Sequence, residues 1–202
     1  MEESMSEHYF SSAPTSVSKP RSFDFSVAGM TVRFGSDSGV FSADRVDKGS
    51  AFMLETLLSF RKWDGVRTLD IGCGYGTLGI TLAKAGADVV MCDVNSRALE
   101  LCRANAKLNG VKAECLEANA AEGVAGEFDA VVTNPPIRAG KQVVYSFFDN
   151  AHALLKQGGE LFVVIRKQQG AESAERHISE VFGNCEVLDK EAGYRVLYSV
   201  KR

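Results

Sequence analysis

From Asp47 to Val200, short apolar segments alternate with segments of helical periodicity, and this alternation constrains the fold more than any other feature of the chain. Such a pattern predicts a parallel sheet covered by helices on both faces. The predicted helices span residues 47–60, 77–85, 96–108, 142–155 and 171–182. The predicted strands span residues 66–71, 88–92, 113–116, 128–132, 160–166, 185–189 and 194–200. Because only residues 190–193 separate the last two strands, they should form an antiparallel hairpin without a crossover helix.

The segment that precedes this region divides into two parts. Residues 1–22 are rich in serine, threonine, proline and charge, and we expect a flexible N-terminal arm. Residues 23–34 alternate on either side of Ala28-Gly29, which predicts a β-hairpin. A chain of 202 residues with 45% hydrophobic content suits one full-sized core. The expected organisation is therefore an arm followed by a single domain over residues 23–202.

Composition limits the environment and the partners of the chain. The net charge of −3 provides no global basic field for a polyanion, although a local basic patch remains open. Five cysteines without any CxxC pair favour a reduced, cytoplasmic protein. We expect no signal peptide and no membrane segment, because no apolar run is long enough. His8, His152 and His177 show no metal-ligand spacing with the cysteines, so no metal is predicted.

A glycine-rich turn follows the first strand of the alternating region. Residues 70–79 read DIGCGYGTLG and lead into a helix, which indicates a turn where a ligand approaches the backbone closely. The segment fits the dinucleotide pattern GxGxxG, and Asp93 lies 19 residues after Gly74, near the spacing of a ribose-binding acid. Asp70 changes the interpretation, because a carboxylate at that position can accept a hydrogen bond from an ammonium group but would repel a pyrophosphate.

This combination resembles the class I S-adenosylmethionine-dependent methyltransferases. The resemblance implies a Rossmann-like sheet, with S-adenosylmethionine as cofactor and with its ribose hydroxyls on Asp93. It also implies that a polar residue after the third strand, here Asn119, accepts from the adenine amino group. The cofactor-binding residues expected on this basis are Asp70, Gly72, Gly74, Gly76, Asp93, Asn119, Ala120 and Asn134.

The strand at residues 128–132 leads into Asn134-Pro135-Pro136-Ile137. The two prolines remove backbone donors and fix φ, so the carbonyl groups of this loop are oriented but have few partners of their own. If the Asn134 side-chain oxygen and the Pro135 carbonyl hold an exocyclic amine, the lone pair of that nitrogen points at the methyl group. We therefore predict that Asn134 and Pro135 are catalytic and that the substrate is a planar, conjugated amine.

Residues 133–141, together with residues 39–42 and 46–50, resemble the small-domain family of ribosomal RNA guanine-N2 methyltransferases over about residues 23–200. Full-length members usually carry an additional N-terminal domain, and this chain resembles the short, stand-alone members. The resemblance implies ribosomal RNA or a ribosomal subunit as partner, and a monomer or homodimer. The residues expected at the substrate are Phe41, Pro136, Ile137, Arg138 and Lys141.

Four other functions stay open on the sequence. Adenine methylation and glutamine amide methylation use a similar loop, but usually with tyrosine where this chain has Ile137. A non-catalytic ribosome-assembly factor would retain the cofactor only for structure. An NAD-binding oxidoreductase would explain the glycine pattern alone, and it predicts NADH binding.

Overall fold

A computed structural model describes residues 21–37 and 45–202. Most of the predicted N-terminal arm and all of residues 38–44, including Phe41, lie outside the described residues. The last two residues of the predicted arm, Arg21 and Ser22, begin the first strand.

A seven-stranded sheet forms the centre of the molecule. Its strands are β3 (Arg67–Ile71), β4 (Asp88–Asp93), β5 (Ala113–Glu117), β6 (Phe128–Thr133), β7 (Leu155–Arg166), β8 (Glu186–Glu191) and β9 (Tyr194–Val200). They lie in the order β5-β4-β3-β6-β7-β9-β8, and β9 runs antiparallel to the other six strands. This arrangement confirms the predicted α/β sheet with its antiparallel C-terminal hairpin. The order reverses between β3 and β6, where an open parallel sheet forms a crevice at the carboxyl ends of its strands.

Within residues 21–37 and 45–202, five α-helices cover the two faces of this sheet. They are α1 (Lys48–Phe60), α2 (Thr77–Lys84), α3 (Ser96–Leu108), α4 (Lys141–Leu154) and α5 (Ala171–Phe182). Helices α1, α2 and α3 pack on one face, and α4 and α5 pack on the other. The central strand β7 is buried on both faces, as its continuous apolar run over residues 161–165 predicts.

The predicted N-terminal hairpin is also present. Strands β1 (Arg21–Val27) and β2 (Met30–Ser36) form a separate two-stranded sheet. The inward side chains Val32 and Phe34 are fully buried against the face that carries α1, α2 and α3. The hairpin therefore extends the core on that face.

One element boundary differs clearly from the prediction. Strand β7 begins at Leu155, five residues before the predicted start at Glu160, and the preceding helix ends at Leu154. Gly158 and Gly159 exchange backbone hydrogen bonds with Lys201, and the pairing of β6 with β7 shifts register at this point. These glycines indicate a turn when only local sequence is considered, but pairing with a distant segment keeps them in the strand.

Candidate active site

The candidate site lies in the crevice at the carboxyl ends of β3 and β6. The Thr133 hydroxyl donates to the Ile71 carbonyl at 2.8 Å and joins the two strand ends within the core. The glycine turn follows β3 and the Asn-Pro-Pro loop follows β6, so the fold brings together the two motifs that the sequence singles out.

The glycine turn is shaped by close packing on one side and open space on the other. Gly72 has a φ of +73°, and a Cβ there would lie 2.9 Å from the Phe147 ring. Gly74 also has a positive φ, but a Cβ there would meet nothing within 4 Å. Gly76 precedes α2, and its N–H donates to the Cys73 carbonyl. The backbone around Gly74 thus forms a cradle whose open side a ligand can fill.

Asp70 is buried at the end of β3, and one of its carboxylate oxygens has no partner. Oδ2 accepts the Gly79 N–H at 2.8 Å, whereas the buried Oδ1 has no hydrogen bond. Burial raises the pKa of Asp70 to about 7; the Gly79 N–H opposes this rise and the negative charge of Asp93 adds to it. A buried acceptor without a partner is costly, so Oδ1 is suited to receive the ammonium group of a ligand.

Asp93 ends the neighbouring strand β4 and faces the same turn. Its carboxylate oxygens accept the N–H groups of Gly74 and Asn95, each at 2.8 Å. Burial raises the pKa of Asp93, and these backbone donors act in the opposite direction. Each carboxylate oxygen has a second lone pair, so Asp93 can still accept a ribose hydroxyl.

The segment after β5 carries two residues with unusual backbone conformations. Asn119 is exposed, and its carbonyl accepts the Glu122 N–H. Ala120 and Ala121 are buried with φ values of +47° and +66°, a region that alanine seldom adopts. The Asn150 side chain holds the Ala120 carbonyl at 2.9 Å. Strained backbone of this kind is common beside ligand sites. Asn119 and Ala120 are two of the residues that the sequence analysis predicts to bind the cofactor.

The carboxamide of Asn134 is held in one orientation by the start of α1. Its Nδ2 donates to Asp47 Oδ1 at 3.2 Å and to Ser50 Oγ at 3.0 Å. Because a carboxylate accepts but does not donate, the nitrogen must face Asp47, and Oδ1 is directed away from α1. Asp47 also accepts the N–H groups of Gly49 and Ser50, so the same carboxylate caps the helix.

The rest of the Asn-Pro-Pro loop forms one wall of the crevice. None of the described residues donates a hydrogen bond to the Pro135 carbonyl, whereas the Pro136 carbonyl accepts from Ala139 in a short 3₁₀ turn. Ile137 is half-buried against the face that carries α4. Arg138 and Lys141 are exposed, and the Lys141 ammonium lies 5.1 Å from the centre of the Tyr145 ring.

The structure adds residues that the motifs alone do not predict. Ser50 and Asp47 lie 84 and 87 residues from Asn134 in sequence, so no local signal reveals their contact with it. Tyr194 is also brought to this region, since a Cβ on Gly49 would lie 2.9 Å from its ring. Pairing of the last two strands with β7 determines the position of Tyr194.

Three further observations concern features that the site does not include. Within the described residues, no three histidine, cysteine, aspartate or glutamate side chains cluster in a way that could hold a metal ion. No helix in the same part of the chain has the length and apolarity to cross a membrane. All five cysteines are free thiols.

The cradle at Gly74 and the unpartnered oxygen of Asp70 fit the amino acid end of S-adenosylmethionine. Together with the sheet order, they define the class of protein as an S-adenosylmethionine-dependent methyltransferase. Comparison with known proteins identifies the family. The model of the methyltransferase small domain family matches residues 31–198, and the chain belongs to this family. Its cofactor is S-adenosylmethionine.

Several relatives share most of the chain. The uncharacterized protein YbxB of Bacillus subtilis is 40% identical and covers 98% of this chain and 100% of its own length. Ribosomal RNA small subunit methyltransferase C of Escherichia coli K12 is 32% identical over 88% of this chain, which spans 51% of that relative. The chain therefore spans about half of the curated methyltransferase it matches.

Solved structures show the same relationship. The 16S rRNA N2 guanosine methyltransferase RsmC of T. thermophilus, in complex with AdoMet and guanosine, matches with a TM-score of 0.83 and 33% identity. The match covers 94% of this chain and 52% of that one. The ribosomal protein L11 methylase of Lactobacillus delbrueckii has a TM-score of 0.67 at 19% identity, a likeness that concerns the fold alone.

Proposed function

We propose that the protein transfers a methyl group from S-adenosylmethionine to the exocyclic N2 amine of a guanine in ribosomal RNA. The observation that carries the proposal is the fixed carboxamide of Asn134. With Nδ2 bound to Asp47 and Ser50, Oδ1 remains available as an acceptor beside the Pro135 carbonyl. Two fixed acceptors match the two hydrogens of an exocyclic amine.

The cofactor would be held by the residues around the glycine turn. Asp70 Oδ1 would accept from its ammonium group, and the backbone of Gly72, Gly74 and Gly76 would leave room for its amino acid end. Asp93 would bind the ribose hydroxyls. The adenine would lie against Asn119 and Ala120, and Asn134 would border the methyl group.

In this proposal the chain contributes position and charge stabilisation. When bound, S-adenosylmethionine supplies a methyl group on a cationic sulfur. Asn134 Oδ1 and the Pro135 carbonyl hold the two N–H bonds, so the nitrogen lone pair faces the methyl carbon. They would also stabilise the positive charge that develops on nitrogen as the N–C bond forms and the methyl–sulfur bond breaks, with the neutral thioether as leaving group, and the surplus proton would then leave to water.

The choice of guanine and of RNA is supported by the relatives and by the loop. The T. thermophilus relative is a guanosine N2 methyltransferase of 16S rRNA. Ile137 takes the place of the aromatic residue that usually follows Asn-Pro-Pro in the adenine and glutamine enzymes. Pro136 and Ile137 would pack against the base, while Arg138 and Lys141, both exposed, would hold phosphates. Phe41 remains a candidate for a second wall of the base pocket.

The role of Asn134 can be tested with two variants and a matched control. We expect Asn134→Ala to lower turnover by about 10²–10³-fold, because it removes a preorganised acceptor. Ser50→Ala removes one of the two anchors of the carboxamide and should lower turnover by roughly 3–10-fold. Binding of S-adenosylmethionine, measured by isothermal titration, should change little in either variant.

Ser146→Ala is the control, since among the described residues the Ser146 hydroxyl bonds only to the Val143 carbonyl within α4. Its turnover should equal that of the wild-type protein. Wild-type turnover in Asn134→Ala would show that Asn134 is not the catalytic acceptor.

A further inference from the structure

We propose that Arg166 and Lys167, with Arg166 stacked on Tyr194, bind backbone phosphates of the RNA strand that carries the target guanine. The inference rests on the proposed function and extends its substrate site beyond the base pocket. We call these three residues the β7 surface.

Arg166 and Tyr194 of the β7 surface lie on the same face of the sheet as Asn134, and Lys167 follows directly in a 3₁₀ turn. Side chains alternate along a strand, and Val164 faces α1, so Arg166 projects to that face two residues later. Strand β7 lies beside β6, where Val163 pairs with Thr133, the residue before Asn134. Arg166 therefore stands just beyond the end of the neighbouring strand, one strand away from the candidate catalytic residue.

A series of contacts connects the β7 surface to Asn134. Tyr194 pairs with Arg166 across the β7–β9 ladder, and a Cβ on Gly49 would lie 2.9 Å from its ring. Gly49 donates its N–H to Asp47, which also binds Asn134. An RNA strand whose target base reaches Asn134 must continue over the adjacent surface, and the β7 surface lies on one of the paths open to it.

Arg166 and Lys167 have the properties of phosphate ligands. Both are exposed, and neither forms an ion pair with a carboxylate of the described residues. In contrast, Arg61, which follows α1, and Arg67, Lys156 and Arg195 of the sheet are paired with carboxylates. Cations that are not neutralised internally can replace the counterions of a nucleic acid backbone.

The surrounding structure restrains the side chain of Arg166 and the backbone of Lys167. The Arg166 guanidinium lies 4.9 Å from the centre of the Tyr194 ring, a cation–π contact that limits its motion. The Lys167 N–H donates to the Gly193 carbonyl at 2.8 Å. An open depression continues from here, lined by Lys167, Gln168, Gly170, Glu172, Ser173 and Arg176. Glu172 is the acidic member of this lining, so the phosphates should contact the side nearer to Arg166.

Exposed cations also lie on other segments next to Asn134. Lys48 begins α1, and Arg138 and Lys141 follow the Asn-Pro-Pro loop; all three are exposed. Together with the β7 surface, these cations lie on the segments that adjoin the candidate catalytic residue. A base that enters between these segments would keep its flanking phosphates near positive charge, as a flipped or single-stranded nucleotide requires.

The test compares two double variants that remove the same charge at different places. The first is Arg166→Gln with Lys167→Gln. The matched control is Lys107→Gln with Lys112→Gln, since both lysines are exposed at the opposite, amino end of the sheet. The probe is a fluorescein-labelled, single-stranded RNA of about 20 nucleotides that contains guanosine. Binding is measured by anisotropy over a range of salt concentrations, beside methyl transfer to RNA and thermal unfolding.

We expect the first variant to bind the RNA at least fivefold more weakly than the control. Its slope of log K against log salt should be less negative than that of the control by about 1.4, because each phosphate contact on a single strand contributes roughly −0.7 to the slope. Binding of S-adenosylmethionine and the unfolding temperature should match those of the control.

Two failures can be told apart. If the wild-type protein methylates RNA and the two double variants bind it equally, the β7 surface is wrong and the proposed function stands. If the wild-type protein neither binds nor methylates RNA, the proposed function fails and the β7 surface fails with it.

Discussion

At the scale of single residues, the two side chains that matter most differ in how far sequence could predict them. The position of Asp70 at the end of an apolar strand, before three glycines, already predicts a carboxylate facing a ligand. The orientation of Asn134 could not be predicted, because it depends on Asp47, 87 residues earlier in the chain. Burial of Asp70, and hence its raised pKa, likewise follows from packing against α2 and not from the motif.

The raised pKa of Asp70 predicts that cofactor affinity depends on pH. Only the ionised carboxylate attracts an ammonium group, so affinity should increase as the pH rises toward the pKa of about 7 and then level off. We expect an increase on the order of tenfold between about pH 5.5 and pH 7.5. Asp70→Asn should bind S-adenosylmethionine much more weakly and without this pH dependence.

Isothermal titration of the wild type, of Asp70→Asn and of the exposed control Glu114→Gln would measure these affinities. The Asp70 carboxyl group also makes the free energy of unfolding depend on pH. A pKa raised in the folded state contributes stability at low pH that is lost as the pH rises toward 7, and Asp70→Asn should not show this loss. An affinity independent of pH in the wild type would contradict the assignment of Asp70 to the ammonium group.

At the scale of elements, two asparagines, one in α3 and one directly after it, attach the N-terminal hairpin to the cofactor side of the domain. Asn105 accepts from the Gly35 N–H and donates to the Gly35 carbonyl, and Asn109 does the same with Arg33. The two side chains thus pair with alternate residues of β2, as a neighbouring strand would. Asn105 also donates to the Tyr75 carbonyl in the glycine turn at 3.0 Å.

Asn105 contacts the glycine turn and Asn109 does not, so substitutions of the two asparagines can be compared as a matched pair. Asn105→Ala should lower the free energy of unfolding by roughly 2–4 kcal/mol, because it leaves buried backbone groups without partners. It should also weaken S-adenosylmethionine binding, since the glycine turn loses the contact at Tyr75. Asn109→Ala removes more exposed bonds and should cost about 1 kcal/mol, with no change in cofactor affinity.

Denaturant unfolding and titration of both variants would test this connection. Equal cofactor affinity in the two variants would show that the hairpin stabilises the domain without positioning the turn.

Helices and strands themselves were largely predictable, because their apolar periodicities are strong. The exception at Gly158 and Gly159 is instructive, since pairing with Lys201 overrides a local turn signal. The hairpin was predicted from the alternation around Ala28-Gly29, but its attachment to α3 was not. Asparagine side chains at helical spacing give no sign in sequence that they will pair with a strand.

At the scale of the whole molecule, the sheet order brings the predicted motifs into one site. The glycine turn and the Asn-Pro-Pro loop are about 60 residues apart in sequence, yet they adjoin because β6 inserts beside β3. The net charge of −3 conceals the local distribution, in which exposed cations follow the Asn-Pro-Pro loop and the end of β7. Composition alone could therefore neither predict nor exclude an RNA substrate.

The measurement that tests the central claim most directly is transfer of a radiolabelled methyl group from S-adenosylmethionine to separated ribosomal subunits, total RNA and protein extract. Nucleoside analysis would then identify the product. We predict label in N2-methylguanosine from one ribosomal RNA. Label found only in methyladenosine or in protein would contradict the proposed substrate, although it would agree with the fold and the cofactor.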